Sequence, residues 1–195
     1  MIIWINGAYG SGKSTCAYEL HCRLPNSFVY DPENVGYFIH KNIPISLHES
    51  NFQDHPQWRS FNYDMLKYLS STYEGTIIAP MTLIDPGYYD EIIGRLMRDG
   101  VELHHFILYA DKETIEKRLK KRFERGTWTR ERIEPCMYAF DHIITEEKII
   151  TDDKSIDQII EEIADRSHLH LIKDSRSAFQ KKMDHYKTTL KQIRF

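Results

Sequence analysis

The sequence predicts an α/β fold in which a parallel sheet of about five strands carries helices on both faces. Short apolar runs recur along the chain, helical stretches separate them, and 41% of the 195 residues are hydrophobic, as is usual for one globular domain. The predicted strands lie at residues 2–5, 28–30, 76–79, 103–109 and 148–150. The predicted helices lie at 14–23, 56–72, 87–98, 112–125 and 155–166.

The first predicted strand leads directly into a phosphate-binding loop. Residues 2–5 are an unbroken apolar run, as expected for a strand buried on both faces, and Gly7-x-x-x-x-Gly12-Lys13-Ser14 follows with P-loop spacing. The glycines allow positive φ, so successive backbone N–H groups can face an anion beside the N-terminus of the next helix. A chance glycine-rich turn is the alternative, which the strand before the loop and the helix after it disfavour.

The loop predicts ATP and Mg²⁺ as ligands. Lys13 is expected to reach the β- and γ-phosphates, where it would act in catalysis, and the Ser14 hydroxyl is expected to bind Mg²⁺. The predicted nucleotide contacts of the loop come from Gly7, Ala8, Tyr9, Gly10, Ser11, Gly12, Lys13, Ser14 and Thr15.

Composition and charge exclude several other classes of protein. The net charge of -3 gives no bulk attraction to nucleic acid, so no nucleic-acid partner is expected. Three cysteines without paired spacing argue against a disulfide framework and a zinc site. At least one of His104 and His105 is expected to face the interior, as a core histidine rather than a metal ligand. Without a signal-like or membrane-spanning apolar run, a cytoplasmic location is expected.

The helix predicted after the fourth strand carries a stripe of arginines. Arg118, Arg122 and Arg125 are spaced to share one helical face. This resembles the helix that leads into the lid of shikimate, adenylate and chloramphenicol-phosphotransferase kinases, whose arginines close over the transferred phosphoryl group. Arg118 and Arg122 are therefore predicted to act in catalysis and nucleotide binding, with a lid at about 123–136. A solvated charged helix is the alternative, because lysines lie alongside.

Acceptor-side residues are expected after the second and third strands. Asp31, at the carboxyl edge of the sheet, is the predicted base or Mg²⁺-water ligand, and Glu33 is its substitute. An Asp-Pro turn that contacts only backbone is the alternative. After the third strand, Thr82 or Asp85 is predicted to line the same cleft, although an ordinary strand-to-helix loop explains these residues at least equally well. No apolar strand ends in an Asp-Glu pair, which favours transfer to a bound acceptor over steady ATP hydrolysis.

An aromatic-rich insert is expected at about 33–60, between the second and third strands. Together with the residues that follow it, this surface could stack a base or sugar and clamp a phosphate. Arg59 and Asn62 are predicted to contact the substrate, because packing of the helix into an apolar core does not require polar side chains at these positions. Phe61 and Tyr68 are predicted to be core residues instead.

The chain ends in a predicted amphipathic helix after a polar spacer, so it divides into a domain at 1–167 and a tail at 168–195. The rest of that helix carries Lys181, Lys182, Lys187, Lys191 and Arg194 against a single acid, Asp184, which is the composition of a helix on an anionic membrane surface. Docking onto the protein's own sheet, or onto a second subunit in a homodimer, explains the apolar stripe equally well. The stripe consists of Phe179, Met183, Tyr186, Leu190 and Ile193.

With these pieces placed, the chain resembles the bacterial tunicamycin-resistance protein family. The similar segments are the opening residues 1–14, Tyr-Asp-Pro-Glu at 30–33, Trp-Arg with Phe-Asn-Tyr at 58–63, Glu-Ile-Ile-Gly-Arg-Leu at 91–96 and His-His-Phe at 104–106. The resemblance implies an ATP-binding protein that protects against a nucleoside antibiotic. It also implies peripheral attachment to the inner face of the cell membrane through a C-terminal amphipathic helix.

Three functions are consistent with these features. The first, which we favour, is a kinase that moves the γ-phosphoryl of ATP to a hydroxyl of tunicamycin or a related uridine compound. The second is a protein that sequesters the drug in an ATP-gated cleft without chemistry. The third is a nucleoside or nucleotide kinase that accepts uridine or UMP and ignores the antibiotic.

Overall fold

The computed structural model describes residues 1–121, 131–177, 180–181 and 183–184. Within them five parallel strands form one sheet in the order β2-β3-β1-β4-β5, which confirms the predicted fold class. The strands are β1 (Ile2–Gly7), β2 (Ser27–Val29), β3 (Thr76–Pro80), β4 (Leu103–Tyr109) and β5 (Lys148–Ile150).

Helices cover both faces of this sheet. The helices at 14–23, 56–72, 87–98 and 155–166 are confirmed, and 112–125 is confirmed as far as residue 121, where the first described segment ends. Two further helices among the described residues, α2 (Glu33–Asn42) and α7 (Ile133–His142), occur in or next to the segments in which the sequence predicts flaps. The helices are α1 (Lys13–Arg23), α2 (Glu33–Asn42), α3 (Pro56–Thr72), α4 (Pro86–Tyr89), α5 (Arg95–Arg98), α6 (Lys112–Lys121), α7 (Ile133–His142) and α8 (Ile156–Arg166); 3₁₀ turns lie at Ile45–Leu47 and Phe52–Asp54, and a π-helical stretch lies at Asp90–Gly94.

The central strand β1 is buried along its whole length because helices pack on both sides of it. Ile2 and Trp4 face the side covered by α3, whereas Ile3 and Ile5 face the side covered by α1 and α8. A third apolar cluster joins α6 and α7 to β4. Since all strands run the same way, their carboxyl ends meet at one edge, where open α/β sheets bind ligands.

The face of α3 that packs on the sheet differs from the predicted one. Trp58 and Leu66 are fully buried, and the Trp58 indole Nε1 donates a hydrogen bond to the Pro32 carbonyl at 3.0 Å. Phe61 is 47% exposed and Tyr68 is 59% exposed, so their assignment to the core is wrong. Both lie on the outer face of the helix, away from the stripe that Trp58 and Leu66 define.

The spacer after α8 docks on the domain. Leu169 and Leu171 pack against the cluster between α1 and α8, and the Ile172 amide donates to the Arg23 carbonyl at 2.8 Å. Arg176 pairs with Glu19. The predicted apolar stripe of the tail lies outside the described residues except for Met183, which is 42% exposed.

In the described part of the chain, no helix combines the length and apolar character needed to cross a membrane.

Candidate functional site

The phosphate-binding loop adopts a conformation that requires glycine. Gly7, Gly10 and Gly12 have φ values of +144°, +84° and +101°, which confirms the positive φ expected of them. A Cβ atom at Gly7 would also lie 2.6 Å from the Leu108 carbonyl oxygen. The loop backbone therefore packs directly against β4.

The start of α1 has the features of an anion site. The helix begins at Lys13 and has no side-chain cap within the described residues, so its first amides and its dipole face the loop. The Lys13 ammonium donates to the Ala8 carbonyl at 3.0 Å and lies 5.5 Å from the centre of the Tyr9 ring. Ser11 Oγ is buried without a hydrogen-bond partner among the described residues. This set of donors fits the phosphate chain of a nucleotide.

Side chains from β1 and from the loop after β3 hold the phosphate loop in place. The Asn6 carboxamide accepts from the Gly7 amide at 2.8 Å and from the Leu83 amide at 2.9 Å, and it donates to the Leu83 carbonyl at 2.8 Å. The Thr82 hydroxyl donates to the Gly7 carbonyl at 2.8 Å. These hydrogen bonds join the phosphate loop to the loop after β3.

A cavity of about 640 Å³ lies next to the phosphate loop, and we call it the acceptor cavity. Its volume is within the range of small-molecule sites. Its walls come from the phosphate loop, the insert, the loop after β3 and helix α7. The polar lining includes Tyr9, Gln53, Asp54, Thr82, Asp85 and Arg132.

Thr82 lines the acceptor cavity, as the sequence predicts. Its hydroxyl, however, already donates a hydrogen bond to the Gly7 carbonyl of the phosphate loop. Arg132 falls within the predicted lid span, although the arginine stripe did not single it out. Asp85 also lines the cavity, as its place after the third strand suggests. Gln53 and Asp54 were not expected there, because only tertiary packing brings the insert to this edge of the sheet.

Arg59 organises the insert and does not line the acceptor cavity. Its guanidinium donates to Glu91 at 2.7 Å and to the Gln53 carbonyl at 2.7 Å, and it stacks 4.3 Å from the centre of the Tyr88 ring. The Tyr88 hydroxyl donates to Asp54 at 3.0 Å. Arg59 thus fixes the wall that carries Asp54, and a direct substrate contact stays a prediction.

Asn62 is placed in the core, which contradicts its predicted role in substrate binding. Its side chain is fully buried on the face of α3 that carries Trp58 and Leu66. The amide donates to the Trp58 carbonyl at 2.8 Å and accepts from the Tyr30 hydroxyl at 2.8 Å. A buried carboxamide with these partners stabilises packing and is out of reach of a ligand.

Asp31 and Glu33 lie where β2 gives way to α2. The Glu33 amide donates to the Asp31 carboxylate at 3.0 Å, so Asp31 makes the backbone contact that is expected of an Asp-Pro turn. Asp31 also lines a second cavity at the edge of the sheet and is not among the lining residues of the acceptor cavity. Burial, and then the nearby Cys136 and Glu33, raise the pKa of Tyr9, so the start of α2 lies within electrostatic range of the phosphate loop.

Arg118 reaches the phosphate loop from α6. Its guanidinium donates to the Ser11 carbonyl at 3.3 Å and to Thr151 Oγ1 at 3.0 Å. Arg118 therefore joins the loop to the end of β5, next to the position expected for a nucleotide. Arg122 and Arg125 lie outside the described residues, as does the predicted lid up to residue 130.

Comparison with known proteins identifies the family. An AAA domain family model matches residues 2–142. The Deinococcus radiodurans tunicamycin resistance protein is 31% identical and superposes with a TM-score of 0.77, over 89% of this chain and 98% of that one. This chain belongs to the tunicamycin resistance protein family. No curated protein sequence gives a significant match.

Other proteins with the P-loop kinase fold are less similar to this chain in sequence. A sugar kinase from Janibacter sp. HTCC2649 is 17% identical, with a TM-score of 0.61 over 86% of this chain and 94% of that chain. Shikimate kinase from Bacteroides thetaiotaomicron is 16% identical, with a TM-score of 0.58 over 87% of this chain and 99% of that chain. These likenesses show that the family shares the small P-loop kinase fold.

A buried thiol, that of Cys136, also lines the acceptor cavity. Burial raises the pKa of the Cys136 thiol to about 11, so Cys136 is not a thiolate nucleophile. The buried position expected for His105 is confirmed. Among the described residues, Glu19, Asp157 and Asp174 are close enough to share a cation, but Arg176 and Lys181 already neutralise this group.

Proposed function

We propose that this protein is an ATP-dependent phosphotransferase that phosphorylates a hydroxyl group of a nucleoside-type compound. The observation that carries the proposal is the direct junction of the phosphate loop and the acceptor cavity. Tyr9 lies in both, and Thr82 lines the cavity while it bonds to Gly7. A nucleotide on the loop would thus present its terminal phosphate to a compound in the cavity.

The residues of the loop hold and stabilise the phosphate chain in this proposal. Loop amides between Gly7 and Thr15, other than that of Ser11, which donates to the Ala8 carbonyl, would bind the phosphate oxygens. Lys13 would offset the charge that develops on them, and the Ser14 hydroxyl would hold Mg²⁺. Arg118 adds positive charge beside the same loop. ATP supplies the phosphoryl group, which bonds to the acceptor oxygen as its bond to the β-phosphate oxygen breaks.

Asp31 is the proposed base, and Glu33 is the second carboxylate at this point. Because Asp31 lines the second cavity and not the acceptor cavity, the proposal requires the acceptor hydroxyl to extend from the acceptor cavity to the end of β2. There Asp31 takes the proton of the hydroxyl, which makes the oxygen a better nucleophile. The coupling of Glu33 to Tyr9 supports a position of this turn near the loop. The acceptor is proposed to be tunicamycin or a related uridine compound, because the Deinococcus radiodurans relative is a tunicamycin resistance protein.

The protein is proposed to act in the cytoplasm, with its tail on the inner face of the membrane. The support is the run of basic residues beyond Ser177, which would be attracted by anionic lipids.

Mass spectrometry of the drug tests the proposed reaction. The protein is incubated with Mg-ATP and tunicamycin, and parallel samples contain uridine or UMP. We expect tunicamycin to gain the mass of one phosphoryl group with the wild type and to stay unchanged with Lys13→Ala. Tight binding of unaltered drug would instead indicate sequestration. Phosphorylation of uridine or UMP alone would indicate a nucleoside or nucleotide kinase.

A further inference from the structure

Helix α3 makes two hydrogen bonds to the turn that carries Asp31. The Trp58 indole Nε1 donates to the Pro32 carbonyl at 3.0 Å, and the Tyr30 hydroxyl donates to the Asn62 carboxamide at 2.8 Å. Tyr30 and Pro32 are the two chain neighbours of Asp31. The backbone is therefore held by the same helix on both sides of Asp31.

The two contacts on α3 are also joined to each other. Trp58 and Asn62 are four residues apart, so they lie one above the other on one face of the helix. The Asn62 amide donates to the Trp58 carbonyl at 2.8 Å, and both side chains are fully buried. A closed series of contacts thus runs from the turn through the helix and back to the turn. We call its four members the α3 bracket: Tyr30, Pro32, Trp58 and Asn62.

Further hydrogen bonds fix the turn itself. The Tyr30 amide donates to the Ile78 carbonyl of β3 at 2.9 Å, so Tyr30 is bound to the sheet as well as to the helix. Burial, and then the nearby Asp31, raise the pKa of Tyr30, so its hydroxyl keeps the proton that it donates to Asn62. After the turn, the Glu33 amide donates to the Asp31 carboxylate at 3.0 Å. These contacts set the place of the carboxylate at the end of β2.

The polar atoms of the α3 bracket are not needed to fill the core. An apolar side chain could take the place of Asn62, and a phenyl ring could fill much of the place of Trp58. Burial of an amide, an indole N–H and a hydroxyl costs free energy unless each group finds a partner, and the net gain of each hydrogen bond is small. A fully paired network of this kind specifies one geometry more than it adds stability.

We propose that Trp58 and Asn62 are positioning residues that hold Asp31 in the place from which it takes the proton of the acceptor hydroxyl. This inference rests on the proposed function, in which Asp31 is the base. Neither residue touches the substrate, because both are fully buried and neither lines the acceptor cavity or the second cavity. Two of the segments that carry the family resemblance, 30–33 and 58–63, thus act as one unit.

Two substitutions break the α3 bracket and keep an aromatic ring in place. Trp58→Phe removes the N–H of one contact, and Tyr30→Phe removes the hydroxyl of the other. The matched control is Tyr63→Phe, which removes a hydroxyl of the same helix that donates to Asp99 and not to the turn. Urea unfolding checks that all three variants fold.

The kinetics of phosphoryl transfer from Mg-ATP to tunicamycin test the positioning role. We expect kcat to fall about tenfold in Trp58→Phe and in Tyr30→Phe, while the KM for ATP changes by less than about twofold because the phosphate loop is untouched. In the Asp31→Asn background neither substitution should lower kcat further, since each acts only through Asp31. A fall in kcat that persists in that background, or that Tyr63→Phe matches, would overturn the inference.

Deuterium exchange separates this inference from the proposed function. Amides at 31–35 should exchange about tenfold faster in Trp58→Phe and in Tyr30→Phe than in the wild type or in Tyr63→Phe. If the wild type transfers no phosphoryl group, the phosphotransferase is overturned, and this exchange alone decides whether α3 holds the turn. If transfer occurs but kcat and exchange are the same in all variants, the positioning role is overturned and the phosphotransferase stands.

Discussion

The Thr82 hydroxyl donates a hydrogen bond to the Gly7 carbonyl at 2.8 Å, which ties the acceptor cavity to the phosphate loop. Gln53 extends the connection, because its amide donates to the Thr82 carbonyl at 2.7 Å. The insert, the loop after β3 and the phosphate loop are therefore joined by consecutive hydrogen bonds. A structural change in the acceptor cavity should alter the phosphate loop, and a change in the loop should alter the cavity.

Thr82→Val tests this connection. The variant keeps the shape of the side chain but leaves the buried Gly7 carbonyl without its donor, so the free energy of unfolding should fall by about 1–3 kcal/mol. Affinity for ATP should fall several-fold as the loop loosens. Thr82→Ser keeps the hydroxyl and serves as the control in urea unfolding and calorimetry. Equal behaviour of the two variants would show that the bond is dispensable.

Arg59→Ala should release the insert from α3 and α4. It removes the bonds to Glu91 and Gln53 and the support of the Tyr88 ring, so amides at 45–55 should exchange with deuterium about tenfold faster. Phosphoryl transfer should fall by a similar factor. Arg98→Ala removes an exposed arginine that pairs with Asp90, and it should leave both properties unchanged. Unaltered exchange in Arg59→Ala would refute the role of this residue.

His105 makes the fold sensitive to acid. Its ring is buried, lies 3.6 Å from Glu146 and 5.5 Å from the Tyr89 ring, and burial lowers its pKa from 6.5 to about 4. Since the unfolded chain binds the proton more readily, stability should fall by about 3 kcal/mol as the pH drops from 6.5 to 4.

In His105→Leu the free energy of unfolding should depend much less on pH, which is checked by measuring unfolding at several pH values between 4 and 7. His104→Gln, which alters the neighbouring and more exposed ring, should keep the pH dependence. A slope that survives in His105→Leu would assign the acid sensitivity to other groups.

Arg176 holds the spacer on the domain. Its guanidinium pairs with Glu19 and Asp174, and these hydrogen bonds keep the pKa of Asp174 well below its ordinary value. Arg176→Gln should therefore increase deuterium exchange at 169–177. Arg166→Gln, on the surface of α8, should not alter this segment. If exchange is equal in both variants, apolar packing of Leu169 and Leu171 suffices to hold the spacer.

Local patterns predicted the phosphate loop and the parallel sheet correctly. Residues 2–12 combine a buried strand with glycines at positions of positive φ, and both properties are fixed within a few residues of sequence. The apolar runs of β3 and β4 likewise identify strands without knowledge of their neighbours.

The choice of which face of α3 packs on the sheet shows where local patterns are insufficient. Trp58, Leu66 and Leu69 define a helical stripe, and Asn62 lies on it, so the spacing contained the signal for its burial. A preference for aromatic residues in the core assigned Phe61 and Tyr68 instead. Asn62 is tolerated inside because Tyr30 and Trp58 satisfy its amide, and no local pattern reveals those partners.

The walls of the acceptor cavity depend on contacts between distant segments. Gln53 and Asp54 reach the cavity through the network of Arg59 and Tyr88, which joins residues about 30 positions apart. A sequence pattern identifies such residues only when the pairing of the segments is already known.

Calorimetric titration of the wild type and of Lys13→Ala with Mg-ATP, ADP and adenosine tests the central claim most directly. If the amides between Gly7 and Thr15 hold a nucleotide by its phosphates, ATP and ADP will bind to the wild type, adenosine will bind far more weakly, and Lys13→Ala will lose at least tenfold in ATP affinity. Absence of binding by ATP and ADP, or equal ATP affinity of a folded Lys13→Ala protein, would contradict the account.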